Sequence, residues 1–88
     1  MPRFHFNIRN GSGFTRDEEG VDLSSAMEAQ VQAIKGARSL MSAEILDGQL
    51  DLDGQIEVTD EQDDPVVTVR FSDAVHVQPG EPAAAATR

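Results

Sequence analysis

One segment of this chain, Ser25 to Gly48, repeats its apolar residues at helical spacing, and on both sides of it the apolar residues alternate instead. A lone amphipathic helix cannot bury its own stripe, so it has to be laid on a flat apolar surface, and alternating segments build such a surface. From Met27 the apolar residues recur as Val31, Ile34, Ala37, Met41 and Ile45, with Ala26, Ala33 and Leu40 widening the stripe on one side. Ser25 followed three residues later by Glu28 makes a capping box, which satisfies orphan amide donors at a helix start. Gly48 can take the left-handed conformation that closes a helix. The segment is therefore expected to form a helix of about six turns.

The alternation before it is clearest in Arg3 to Arg9, with Phe4, Phe6 and Ile8 on one face and Arg3, His5, Asn7 and Arg9 on the other. That is the period of a half-buried strand. Asn10-Gly11-Ser12-Gly13 predicts a tight turn into a short second strand around Phe14 to Asp17. Glu18-Glu19-Gly20 turns again, and Val21 and Leu23 lead into the helix. Beyond Gly48, Leu50 and Leu52 lie in a short connection. Gln55 to Thr59 and Val66 to Phe71 then read as two strands, with Ile56, Val58, Val67, Val69 and Phe71 on the apolar face. The run Asp60 to Pro65 is the hairpin turn between them, and Val75 and Val77 are expected to extend the last strand past a bend at Ser72-Asp73. The order is ββαββ, and the fold class is α+β: one helix packed on one face of a small antiparallel sheet. Residues 1–78 read as a single domain. Residues 79–88 offer no large apolar side chain to bury, and are expected to be disordered.

Composition narrows the function classes. At 88 residues there is room for one core. Sixteen acidic against seven basic residues leave a formal charge of −9, which disfavours nucleic-acid backbones and anionic membranes and favours a basic protein partner. There is no cysteine, so disulfides, thiolate metal sites and cysteine nucleophiles are excluded. No apolar run approaches a membrane span, and no leader-like pattern opens the chain. The expected location is the cytoplasm.

Several features invite a chemical reading. Asp51, Asp53 and Gly54 match positions 3, 5 and 6 of a calcium loop, which makes Asp51, Asp53, Glu57 and Asp60 the metal candidates. The match fails at its first position, where Gln49 stands, and at its last, where Asp60 replaces the bidentate Glu. Turn carboxylates in solvent explain the same residues. His5 and His76 fall on polar strand faces, but two ligands do not close a zinc or iron site. Asp17, Glu18, Glu19 and Asp22 form an acidic patch around Gly20 that could receive a cationic partner. Arg3, His5, Arg9 and Arg70 lie on the polar sheet face, yet no aromatic shares that face to stack bases, as an RNA-binding sheet requires. Arg38, at the edge of the helix stripe, is expected to lay its stem on the core and pair with a sheet carboxylate. No nucleophile motif or phosphate loop is present. No enzymatic activity and no cofactor are expected. The reading is a non-catalytic interaction or structural module, its partner a basic protein or a second copy of the chain.

Pro2-Arg3-Phe4-His5-Phe6, the segment Asp17-Glu18-Glu19-Gly20-Val21-Asp22-Leu23, the helix with Ala33, Ala37, Arg38, Leu40 and Glu44, then Gly48, and the ending Phe71-Ser72-Asp73-Ala74-Val75 together resemble a family of small bacterial proteins known only as a domain of unknown function. The resemblance covers roughly residues 2–77 and implies no catalytic residue. The strand-to-helix order and acidic charge also bear a weaker likeness to the antitoxin half of bacterial toxin–antitoxin pairs, which would imply a small basic partner.

Overall fold

The alternation at the start of the chain forms the strand around which the sheet is built. A computed structural model describes residues 1–80; residues 81–88, most of the segment expected to be disordered, lie outside the described residues. Strand β1 (Arg3–Asn10) pairs antiparallel along one edge with β4 (Gln55–Thr59), which pairs with β5 (Pro65–Arg70). Along its other edge β1 is met by β2 (Gly13–Thr15) and β3 (Val21–Asp22). The sheet order is β2-β1-β4-β5, with β3 also on β1. The expected α+β architecture is present, with a fifth short strand at Val21–Asp22 where only a lead-in to the helix was expected. Strands β2 and β3 are one returning strand, interrupted by Arg16 to Gly20, and the register slips between them.

Helix α1 (Ala26–Leu46) begins where the capping residue places it: Ser25 is the N-cap, and its hydroxyl accepts from the Glu28 amide at 3.1 Å. The reciprocal arm of the box reaches one residue further back, since the Glu28 carboxylate accepts from the Ser24 amide and hydroxyl. At the other end Gly48 has φ +84°, its amide bonds the Ile45 carbonyl, and the Gln49 amide bonds the Glu44 carbonyl. This is a Schellman closure, which consumes carbonyls the helix leaves unpaired.

The rotation of α1 differs from the expected stripe. The buried column is Ala29, Ala33, Ala37 and Met41, one residue every turn. Met27 is 75% exposed, Val31 46% and Ile45 58%. Methyl side chains let the helix backbone approach the sheet closely, and the core then fills with the larger side chains of the sheet: Phe4, Ile56, Val58, Val69 and Phe71. Bulk therefore comes from the strands and closeness from the helix. Ile34 and Leu40 flank the alanine column and pack partly against this core.

After Arg70 the chain turns into α2 (Phe71–Ala74), a single helical turn, instead of continuing as a strand. Phe71 is the reason. Its ring is buried against Gly54, where an added Cβ would come within 2.6 Å of it, and its amide donates to the Gly54 carbonyl. Arg38 does not pair with a carboxylate: its Nε donates to the Ala74 carbonyl at 2.7 Å, tying α1 to α2.

An alanine column that sets the helix–sheet distance leaves no room for bulk. Ala33→Leu is expected to destabilise the fold by about 1–3 kcal/mol, whereas Val31→Ala stays within about 0.5 kcal/mol. Urea denaturation of the two variants beside the wild type measures both.

Candidate functional site

Because α1 lies over β4 and β5, the apolar side of β1 is only half roofed. Phe6 and Ile8 remain partly exposed while Ile56, Val58 and Val69 are buried. A groove of about 330 Å³ runs along this gap. Phe6, Ile8 and Ile56 make its floor, Gln32, Gly36, Ser39 and Leu40 its helical wall, and Val21 of β3 stands at its margin. Gly36 widens it, since a Cβ there would already sit 3.4 Å from the Ile56 Cδ1. The volume is at the small end of ligand cavities, which run from about 300 to 1,000 Å³. Among the described residues no acid, base or cationic side chain lines the groove; the Gln32 amide and Ser39 hydroxyl supply its side-chain polarity. Such a surface can receive an apolar group and make one or two hydrogen bonds, and it offers nothing for proton transfer. Sequence reasoning did not find it. The available signal was the column Gln32, Gly36 and Ser39 beside the apolar stripe: a small and polar helical flank that cannot cover the sheet next to it.

The acidic patch has a more structural character than its charge suggests. Asp17 turns inward at the interruption between β2 and β3, where its carboxylate accepts from the amides of Phe6 at 3.0 Å and Gly20 at 3.2 Å. It thereby serves the edge of β1 where strand pairing lapses. Burial alone would push its pKa up, but hydrogen bonds from the backbone of Phe6, Gly20 and Glu19, helped by nearby His5, outweigh this and hold it below the usual carboxylate range. His5 Nδ1 lies 2.8 Å from the Asp17 carbonyl. Asn7, 3% exposed, is buried on the sheet face opposite the helix. Its oxygen accepts from the Asp17 amide, and its nitrogen donates to the Glu57 carbonyl and the Thr59 hydroxyl, so the loop, β1 and β4 are tied by one residue. Gly20 has φ +75°, and a Cβ there would meet the Phe4 carbonyl at 2.9 Å, so the loop can close only on glycine. Asp22 pairs with Arg3 at 3.2 Å. Both are well exposed, and such a pair contributes about 0–1 kcal/mol, less than the burial of neighbouring Leu23. Glu18 and Glu19 remain exposed, and carry the part of the patch that projects into solvent.

The metal candidates are placed apart in role. Asp51 accepts from the amides of Gly11 and Asp53, joining the first turn to the loop after α1. Glu57 is on β4, bonded to Arg9 at 2.7 Å and to Gln55; the Arg9 bond is the main cause that lowers its pKa, while Arg9 in turn is raised. Asp60 accepts from Gln62 and Asp64 and shapes the β4–β5 turn, in which Asp63 adopts φ +67°. Asp53 is exposed at the turn into β4. Among the described residues no three His, Asp or Glu side chains converge in a metal-binding group. His76 lies exposed beyond α2, and Arg9 stacks over the ring of its cross-strand partner Phe14 at 4.6 Å, so one exposed aromatic does share the polar sheet face, against the expectation that none would.

A family model described as a domain of unknown function (DUF6894) matches residues 3–72. This span runs from β1 into α2 and includes every described residue that lines the groove. Neither the curated proteins nor the solved structures compared with the chain include a match. No helix among the described residues is long and apolar enough to cross a membrane.

Asp17 links the fold to pH. A carboxyl whose pKa is lowered by folding contributes stability that is complete above its unfolded value, about 3.9, and that is lost as pH falls through the lower folded value. Asp17→Asn removes the double acceptor and is expected to cost about 1–3 kcal/mol at neutral pH. The gap between variant and wild type should narrow as pH falls below about 4; urea midpoints measured across that range test it, and a pH-independent gap would contradict the assignment.

Proposed function

We propose that this chain, which belongs to the DUF6894 family of domains of unknown function, is a non-catalytic interaction module that receives an apolar anchor of a basic protein segment in the groove between α1 and β1. The observation that carries this reading is the lining of the groove: an apolar floor of Phe6, Ile8 and Ile56, open to solvent at Phe6 and Ile8, with no titratable side chain among the described residues. A reaction centre needs a group that can hold or move a proton or charge. A docking surface needs an apolar pocket with a polar margin.

Charge supports the choice of partner. Val21, at the groove's margin, follows Glu18, Glu19 and Gly20 and precedes Asp22, and the whole chain carries −9. A cationic segment is drawn to this side, and its aliphatic or aromatic side chain then supplies most of the affinity by leaving water. Binding should weaken moderately with salt, because the charges sit at the margin and the anchor does not.

Selection of a random peptide library displayed on phage tests this directly. Enriched peptides are expected to combine Lys or Arg with a large apolar residue, and to shift the amide resonances of Phe6, Val21, Gly36 and Leu40 in the protein's NMR spectrum. Ser39→Trp, which fills the groove from its exposed wall, should reduce their affinity about tenfold or more. Peptides that bind the Trp variant as well as the wild type, or that perturb a different surface, would overturn the reading.

A further inference from the structure

We propose that the free edge of β5 is a homodimer interface: two copies pair their β5 strands antiparallel about a two-fold axis at Thr68, joining two sheets into one and bringing their α1 helices side by side. The two sheet edges differ. On the β1 side the edge is occupied by β2 and β3, and Asp17 satisfies the Phe6 amide where they part. On the other side β5 has β4 as its neighbour and no further strand beyond it among the described residues. Pro65 and the register shift near Thr59 disrupt the start of this edge, which is how open edges are commonly guarded. Val67 to Arg70 remain regular and available.

The helix beside this edge is what singles out a second copy as the occupant. The bond from Arg38 to Ala74 shows which side of α1 faces the β5–α2 flank. Met27, Val31 and Ile34 fall on that same side, by the helical spacing of 100° per residue. The Leu23 amide donates to the Pro2 carbonyl, so α1 starts at the end of the sheet where β5 also starts. The exposed Met27 and Val31 therefore run alongside the first part of β5. Strands in a sheet lie about 4.8 Å apart. A helix over the β4–β5 seam then stands about 5 Å from an axis beside β5, and its copy about 10 Å away, at the distance of packed helices. The pairing that continues the sheet thus also turns the exposed Met27 and Val31 of each copy toward the other copy, on the side where α2 follows β5.

Charge and sequence agree with this arrangement. Pairing about Thr68 sets Val67 against Val69 of the second copy on the apolar face, a favourable cross-strand match. It also brings Arg70 of each chain to the Asp64 end of the other strand. Among the described residues Arg70 makes no ion pair, whereas Arg3, Arg9 and Arg16 each do. This surface is separate from the groove, so a dimer and a groove-bound peptide can coexist.

The absence of cysteine makes a direct test available. Thr68→Cys, at the axis, is expected to give a covalent dimer with a short bis-thiol reagent, while Thr15→Cys on β2 is not. Light scattering after size exclusion should find a dimer for the wild type. Thr68→Lys, which sets two ammonium groups against each other, and Met27→Glu on the exposed helix side should each raise the dissociation constant about tenfold or more, with circular dichroism unchanged. Met27→Glu keeps the test valid if the strand variant does not fold. A wild type that stays monomeric at submillimolar concentration would overturn the proposal, as would a dimer that withstands both substitutions. Persistence of the dimer in Ser39→Trp would keep its fate apart from that of the groove.

Discussion

The close contact between the alanine column of α1 and strands β4 and β5 is the constraint on which the rest of the structure depends. Ala29, Ala33 and Ala37 have no bulk to hold the helix away, so the helix settles over the part of the sheet where Val58, Val69 and Phe71 can fill the space around it. Two consequences follow from that one placement. The apolar side of β1 is left with an uncovered strip, which becomes the groove, and Met27 and Val31 of the helix stay exposed. A helix with leucines in those three positions would stand further off and would have to relocate.

The second constraint works on the opposite flank, where strand pairing fails for a few residues and side chains take its place. Asn7 accepts from the Asp17 amide and donates to the backbone of β4, while the Asp17 carboxylate accepts from the amides of Phe6 on β1 and of Gly20. Each bond is worth only about 0.5–1.5 kcal/mol net, but a partner left unpaired inside costs about 1–3 kcal/mol. The network is therefore better understood as preventing losses than as adding stability. It also explains why Asp17, among the four acidic residues around Gly20, serves the fold, while Glu18 and Glu19 are left to shape the charge of the surface.

Element types were legible in the residues because they depend on local chemistry. The period of Phe4, Phe6 and Ile8, the Ser25 cap and the Gly48 closure all act within a few positions of themselves. The turn from Asp60 to Pro65 was equally visible. Three features were not. The turn of chain at Phe71 depends on the space above Gly54, seventeen residues away, which no local pattern reports. Strand β3 is only two residues long and exists because Leu23 is anchored and Gly20 can bend. The rotation of α1 follows closeness and not apolar size: Val31 is more hydrophobic than Ala33, but Ala33 permits the approach. For the candidate site, the acidic residues could be named from sequence, yet which of them face inward could not. The groove escaped altogether, since its floor and wall come from segments far apart in the chain.

By itself the amino-acid sequence determined that one helix would be laid on one antiparallel sheet, that no thiol chemistry would occur, and that the surface would be acidic, because period, residue type and charge are properties of the chain. Only the tertiary structure decided where along the sheet the helix rests, which apolar surface stays uncovered and which sheet edge stays open. Those outcomes depend on how side chains of unequal size from distant segments share one small volume, and such packing is settled by all of them together.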